Sequence, residues 1–116
     1  MTTISYRAVA FFAAALALLC WSMGPAAAAD APKAATHTVA IDGTSFQPAT
    51  LSVKIGDSVV WVNKDPFPHT ATSIAGGFDS REIAPGKSWK YTATKQGEFA
   101  YVCNFHPTMK ATLKVE

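Results

Sequence analysis

The sequence predicts an all-β fold, a Greek-key antiparallel β-sandwich of about seven to eight strands. Short runs rich in β-branched and aromatic residues recur along the chain, turn residues divide them, and no helical period of any length is present. The runs lie at 37–41, 51–55, 58–63, 69–74, 88–93, 98–103 and 111–115. Between them fall Asp42-Gly43, Gly56-Asp57, Gly76-Gly77, Pro85-Gly86 and Gln96-Gly97, where Gly supplies a positive φ and Pro presets its own. Several runs alternate: Trp89, Tyr91 and Ala93 against Ser88, Lys90 and Thr92, then Phe99, Tyr101 and Cys103, then Leu113 and Val115 around Lys114. Each such run buries one face, and runs of this length and spacing close a core as two packed sheets. Phe46, Trp61, Phe78, Trp89, Phe99 and Tyr101 supply its aromatic bulk. Lys64, Lys87, Lys90, Lys95 and Lys110 are expected to be solvated.

A chain of 116 residues has room for one such domain, and its first segment stands apart. Arg7 gives a basic start, an apolar stretch of about fourteen residues follows over 8–21, and small residues end it at Ala27-Ala28-Ala29. This is the pattern of a secretory signal peptide over 1–29, cleaved after Ala29, and it places the mature protein in the periplasm. The stretch is short of the roughly twenty residues a spanning helix needs, so no stable membrane insertion is expected. Cys20 does not read as a lipid-attachment site, because Leu19 precedes it where such signals want a small residue. Residues 30–36, mostly Ala with Pro, Lys and Thr, read as a flexible tether, and 37–116 as the domain.

Cleavage removes Arg7 and leaves 87 residues, in which nine Lys plus Arg face eight Asp plus Glu. A formal charge of about +1 gives nucleic-acid binding no electrostatic support. Cleavage also removes Cys20, Met1 and Met23, so Cys103 and Met109 are the mature chain's one thiol and one thioether. No intramolecular disulfide can form. A lone thiol in an oxidising compartment is a liability unless something occupies it.

The segment Cys103-Asn104-Phe105-His106-Pro107-Thr108-Met109 points to the occupant. Taken singly, Cys103 is an ordinary small buried hydrophobe and Met109 a gap-filler. Together, with His106 midway, they are three donors that one tight loop leaving a strand can turn toward one point. Thiolate and imidazole are strong ligands for a soft or borderline metal, and a thioether suits copper far better than magnesium or calcium. His69 supplies the remaining strong donor, because it follows Pro66-Phe67-Pro68 in a loop after the strand ending near Asn63, and loops at one end of a sandwich cluster. His69, Cys103, His106 and Met109 then make a trigonal His2Cys site with a weak axial Met, the type used for blue-copper electron transfer, with no position open for substrate. His37 lies at the domain's edge without a motif and reads as an ordinary strand-end histidine.

At these residues the chain resembles the small blue copper proteins, or cupredoxins. The resemblance covers the whole mature domain, through Ser45-Phe46-Gln47-Pro48-Ala49-Thr50-Leu51, Gly56-Asp57-Ser58-Val59-Val60-Trp61-Val62-Asn63, Pro68-His69-Thr70, and Gly97-Glu98-Phe99-Ala100-Tyr101-Val102-Cys103 with its ligand loop. The ordered set is specific where any single piece is not. The Cys-x2-His-x2-Met loop is most similar to that of amicyanin, being shorter between His and Met than in plastocyanin or pseudoazurin. The resemblance implies one copper ion cycling between Cu(I) and Cu(II), with His69, Cys103 and His106 as strong ligands and Met109 as the axial one. The chain departs at Thr70, where amicyanin and plastocyanin usually carry an Asn whose side chain helps tie the two ligand loops together. A weaker tie is expected here.

The function these features favour is that of a periplasmic mononuclear type 1 (blue) copper protein shuttling single electrons between redox partners, and not that of an enzyme. Multicopper oxidases and copper nitrite reductases use such domains, but they need further imidazoles for a catalytic centre and only His37 is left unassigned. A zinc hydrolase wants three ligands, an open water position and a base, whereas Met109 takes the fourth place. The alternative is a periplasmic copper-binding or copper-delivery protein, which can use the same donors without a redox role. The expected partner is a transient redox protein such as a c-type cytochrome or dehydrogenase, met by a monomer. Phe105 and Pro107, with Pro66, Phe67 and Pro68 from the other loop, form an apolar collar about His106 for that encounter, with Lys64 and Lys110 at its rim.

Overall fold

The computed structural model describes residues 33–116. The signal peptide expected over 1–29 and the first residues of the expected tether lie outside the described residues. Further along that tether, the Ser58 N–H donates to the Ala35 carbonyl at 2.9 Å, and Thr36 stands in register with Ser58.

Eight strands follow one another: β1 (Thr36–Asp42), β2 (Ser45–Gln47), β3 (Thr50–Val53), β4 (Ser58–Asn63), β5 (Thr72–Ser73), β6 (Ser88–Thr92), β7 (Gly97–Cys103) and β8 (His106–Val115). They form the expected sandwich, with one sheet ordered β2-β1-β4-β6 and the other β3-β8-β7-β5. Most pairings are antiparallel, but β1–β4 and β3–β8 run parallel. Connectivity explains the first of these. The chain turns back from β1 as β2, crosses to the second sheet as β3, and returns as β4 beside β1 in the same direction.

The alternation seen in the sequence sets the faces. On β8, Met109, Ala111, Leu113 and Val115 are buried while Lys110 and Lys114 are exposed. Opposite them Val39, Ile41, Val59 and Trp61 of the first sheet are fully buried. Each Val, Leu or Ile so buried stabilises the fold by about 1.5–3 kcal/mol. At the centre the Trp61 indole Nε1–H donates to the Tyr101 hydroxyl at 3.3 Å, and Phe46 meets Tyr101 edge-on at 4.7 Å between ring centroids. Burial pushes the Tyr101 phenol up to about 12. The expected core aromatics are all in or against this cluster, with Trp89 and Phe99 only partly covered. The five lysines expected at the surface are exposed. At the Pro85-Gly86 turn, Ala84 C=O accepts the Lys87 N–H at 3.0 Å and Gly86 takes φ +75°, a conformation that a side chain would strain.

Several expected strands shift by one or two residues at an end, two change by more, and both of those larger changes build the functional end. The run 69–74 shortens to β5, because the backbone around His69 pairs instead with Ile83 and that of Ala71 with Ser80. The run 111–115 extends back to His106, because Asn104 and Phe105 turn the chain so tightly that Cys103 and His106 become cross-strand partners. The next ladder pair is Val102 with Lys110, so Pro107, Thr108 and Met109 are accommodated by a bulge. Proline, which has no N–H for a ladder, is tolerated there.

Candidate metal centre

Three strand ends position the donors: β4 leads into the loop bearing His69, β7 ends at Cys103, and β8 begins at His106. Among the described residues, His69, Cys103 and His106 bring one ligand atom each within 4.8 Å of one another. Cys103 Sγ lies 3.6 Å from His69 Nδ1 and 3.7 Å from His106 Nδ1. Metal–ligand bonds of about 2.0 Å to nitrogen and 2.3 Å to sulfur, opened by about 110–120°, subtend a separation of that size. The donor set fits a borderline or soft ion, and copper in particular. Met109, 4% exposed, sits in the bulge on the core face of β8. His37 is not in this group: its Nε2 lies 3.0 Å from Asp57 Oδ2 at the start of β1, as a strand-end histidine.

Two of the three donors, His69 and Cys103, are held by further groups. His69 is fully buried, and its Nε2 lies 2.7 Å from Asp65 Oδ2. A carboxylate only accepts, so Nε2 carries the proton and Nδ1 turns its lone pair toward Cys103. Burial works against ionisation of Asp65. It is outweighed by the Thr44 N–H, the His69 ring and the Gly43 N–H, which hold its carboxyl below the usual range. Asn63, also fully buried, donates through Nδ2 to the Phe67 and Ile83 carbonyls, both at 2.9 Å, and accepts the Asp65 N–H at 3.0 Å. The loop carrying His69 therefore hangs on the last residue of β4.

Thr70 ties the two ligand segments together. Its N–H donates to Cys103 Sγ at 3.3 Å, and its Oγ1 accepts the Asn104 N–H at 2.9 Å. The tie expected to weaken with threonine at this position is thus made by a hydroxyl. Asn63, Asp65, Thr72 and Asn104 were not legible as site residues in the sequence. Asp65 alone left a signal, as the carboxylate four residues before a ligand histidine.

At the surface, His106 is half-buried, Phe67 is 41% and Phe105 52% exposed, and Lys64 and Lys110 are exposed. The Phe67 ring lies 5.3 Å from the His69 ring and 5.9 Å from that of His106. Of the expected collar, Phe67 therefore packs against both histidine rings of the candidate site.

A family model for the cupredoxin-like domain matches residues 12–115. Amicyanin of Paracoccus denitrificans is 30% identical over 100 residues, covering 82% of this chain and 76% of that protein. Chloroplastic plastocyanin of Tetradesmus obliquus is 33% identical over 72 residues, covering 53% of this chain and 50% of that protein. Among solved structures, a Cu(I) form of an amicyanin variant is similar with a TM-score of 0.66 and 28% identity, over 70% of this chain and 82% of that one. The copper-containing nitrite reductase of Thermus scotoductus SA-01 is similar with a TM-score of 0.66 and 32% identity, over 70% of this chain and 22% of that one.

Proposed function

This chain belongs to the cupredoxin-like family, and from that premise we propose that it is an exported, monomeric electron carrier with one copper ion held by His69, Cys103, His106 and Met109. The observation that carries the reading is the buried Cys103 thiol, flanked by one imidazole nitrogen at 3.6 Å and another at 3.7 Å. The signal peptide over 1–29, the tether over 30–36 and a periplasmic location belong to the same proposal. Among the described residues no helix is long and apolar enough to cross a membrane.

Copper bound by these donors supplies a one-electron Cu(I)/Cu(II) couple. The chain's own residues keep the site in one geometry through both states. Asp65 fixes the ring of His69, and Asn63 fixes the loop that carries it. The Thr70 N–H offsets negative charge on the Cys103 sulfur. His69 and Cys103 are 0% exposed, so water does not compete for them. His106 alone of the three reaches the surface, and the edge of its ring is the port for the electron. Around it, Phe67 and Phe105 offer a small apolar face suited to brief contact, while Lys64 and Lys110 steer a partner of opposite charge. That partner is a redox protein such as a c-type cytochrome or a dehydrogenase. The buried donors favour retention of the ion over its delivery to an acceptor. The nitrite reductase likeness covers about a fifth of that enzyme, and His37, the remaining imidazole of this chain, is spent on Asp57.

The mature domain loaded with Cu(II) is expected to show the intense visible band of thiolate-to-copper charge transfer. Cys103→Ala is expected to abolish it while the domain stays folded by circular dichroism. A spectrum unchanged by that substitution refutes the assignment. Fast reversible exchange with a reduced cytochrome supports the carrier, and ready loss of the ion to a competing chelator supports delivery instead.

A further inference from the structure

We propose that Thr72 is a positioning residue of this centre: its hydroxyl is the pivot that holds Thr70 against Cys103 and thereby sets the reduction potential. The inference deepens the electron-carrier reading and rests on it. Thr72 opens β5 and belongs to none of the four donors, yet its Oγ1 has three partners. It lies 3.0 Å from Thr70 Oγ1, 3.1 Å from Asp79 Oδ1 and 3.2 Å from Asn104 Nδ2.

The chemistry of these partners fixes the direction of every bond. The Asp79 carboxyl oxygen accepts, so Thr72 gives its proton there. The Asn104 amide nitrogen only donates, so it donates to Thr72. Thr70 must then donate to Thr72 as well, which leaves the Thr70 oxygen to accept the Asn104 backbone N–H at 2.9 Å. Thr72 Oγ1 gives one bond and accepts two, the full capacity of a hydroxyl. The relay runs one way, from the part-buried Thr70 hydroxyl through Thr72 to a carboxylate at the surface. Its far end is fixed too: Thr72 bridges to Asp79 through the backbone, and Asp79 Oδ1 also accepts the Arg81 N–H at 2.8 Å.

Thr70 carries the effect to the centre. Its N–H reaches Cys103 Sγ while its hydroxyl clamps the residue after Cys103, so both ends of one residue bear on the thiolate. Thr70 is 3% exposed, and without Thr72 its hydroxyl proton would have no partner. The side chain would then turn and release the Asn104 N–H, freeing the backbone just after Cys103 so that its Sγ moves away from the Thr70 N–H. A hydrogen bond to the thiolate withdraws electron density and favours Cu(I), so its loss lowers the potential.

Thr72→Val keeps the β-branched shape and removes the hydroxyl, and Thr72→Ser restores it. Both variants and wild type are measured twice: as copper-loaded proteins by redox titration and visible absorption, and as metal-free proteins by amide hydrogen exchange. For Thr72→Val, the ratio of reduced to oxidised protein in a fixed redox buffer is expected to fall about fivefold, equivalent to one ordinary hydrogen bond of about 1 kcal/mol. The absorption maximum is expected to shift, and the Asn104 amide to exchange several-fold faster. Thr72→Ser is expected to match wild type in all three. A wild-type potential and a wild-type Asn104 exchange rate in Thr72→Val overturn the proposal, as does a Thr72→Ser that behaves like Thr72→Val. A wild type without the charge-transfer band refutes the carrier reading and the effect on potential together, while the metal-free exchange still tests the pivot by itself.

Discussion

Asn63→Ala removes the side chain from which the His69 loop hangs, and its cost can be worked from three hydrogen bonds. Alanine leaves the Phe67 carbonyl and the Asp65 N–H without the partners they have at 2.9 and 3.0 Å. The Ile83 carbonyl loses one partner but keeps the His69 N–H at 3.2 Å. Two stranded groups at about 1–3 kcal/mol each bracket the loss at about 2–6 kcal/mol. The bond at Phe67 is only part-buried, so water relieves some of the penalty and the expected value is about 3 kcal/mol. The assay is urea unfolding of the metal-free domain, where the midpoint should fall at constant slope. In a thermal melt the same loss corresponds to about 12–24 °C for a domain of this size. Gln47→Ala is the control, because its side-chain bonds to Asp42 and Ser45 are exposed. A loss below about 1 kcal/mol, or one no larger than that of Gln47→Ala, refutes the view that Asn63 holds this loop.

Met109→Leu is expected to keep the visible band and raise the potential, since a weak thioether contributes little to binding but stabilises Cu(II); total loss of copper counts against an axial role. Phe105→Glu is the cleaner probe of the docking face, because the Phe67 ring lies against both ligand imidazoles whereas Phe105 is 52% exposed. It should slow electron exchange with a cytochrome at several ionic strengths while leaving colour and potential unchanged, and exchange at the wild-type rate places the face elsewhere. At the opposite end of β1, the N–H groups of Lys54 and Ala35, with the His37 ring, hold the Asp57 carboxyl down at about 2 against an ordinary 3.8. Ionisation of Asp57 therefore favours the folded state. Its contribution is complete above pH 3.8 and is lost as pH falls through about 2. Asp57→Asn should flatten the acid limb of the stability profile over that window, and an unaltered limb rules the contribution out.

The faces of the sandwich were legible because alternation is local: Trp89 and Tyr91 of β6 point inward wherever that strand is placed. Cys103 and His106 were legible because only two residues separate them on one short turn. His69 needed only the rule that loops at one end of a sandwich cluster. What escaped depends on pairings that no run announces by itself. β2 is three residues long and owes its place to β1. The run 69–74 looked like a strand by composition, but its backbone around His69 pairs with Ile83, and no property of the run itself announces that. Asn63, Asp65 and Thr72 are ordinary polar residues in the sequence. Only the folded chain brings Asp65 to the turn at Gly43, or Thr72 to Asn104, 32 residues away.

The tight turn between β7 and β8 bears on the order in which the centre is assembled. His106 follows Cys103 by 3 residues, whereas His69 precedes it by 34. Loop-closure scaling makes the longer approach costlier by about 2 kcal/mol in the unfolded chain. One half of the centre therefore comes together with a hairpin, on a timescale of about 1–10 μs. The other half arrives with the long-range sheet pairings that slow β-sandwiches. A coordinate bond from His69 to an ion on the hairpin would join those two points in the folded chain, and its binding free energy would add to the stability of the folded state. In a mature chain expected to keep a single thiol, a bound metal would be the cross-link: a reversible staple across 34 residues of the folded chain.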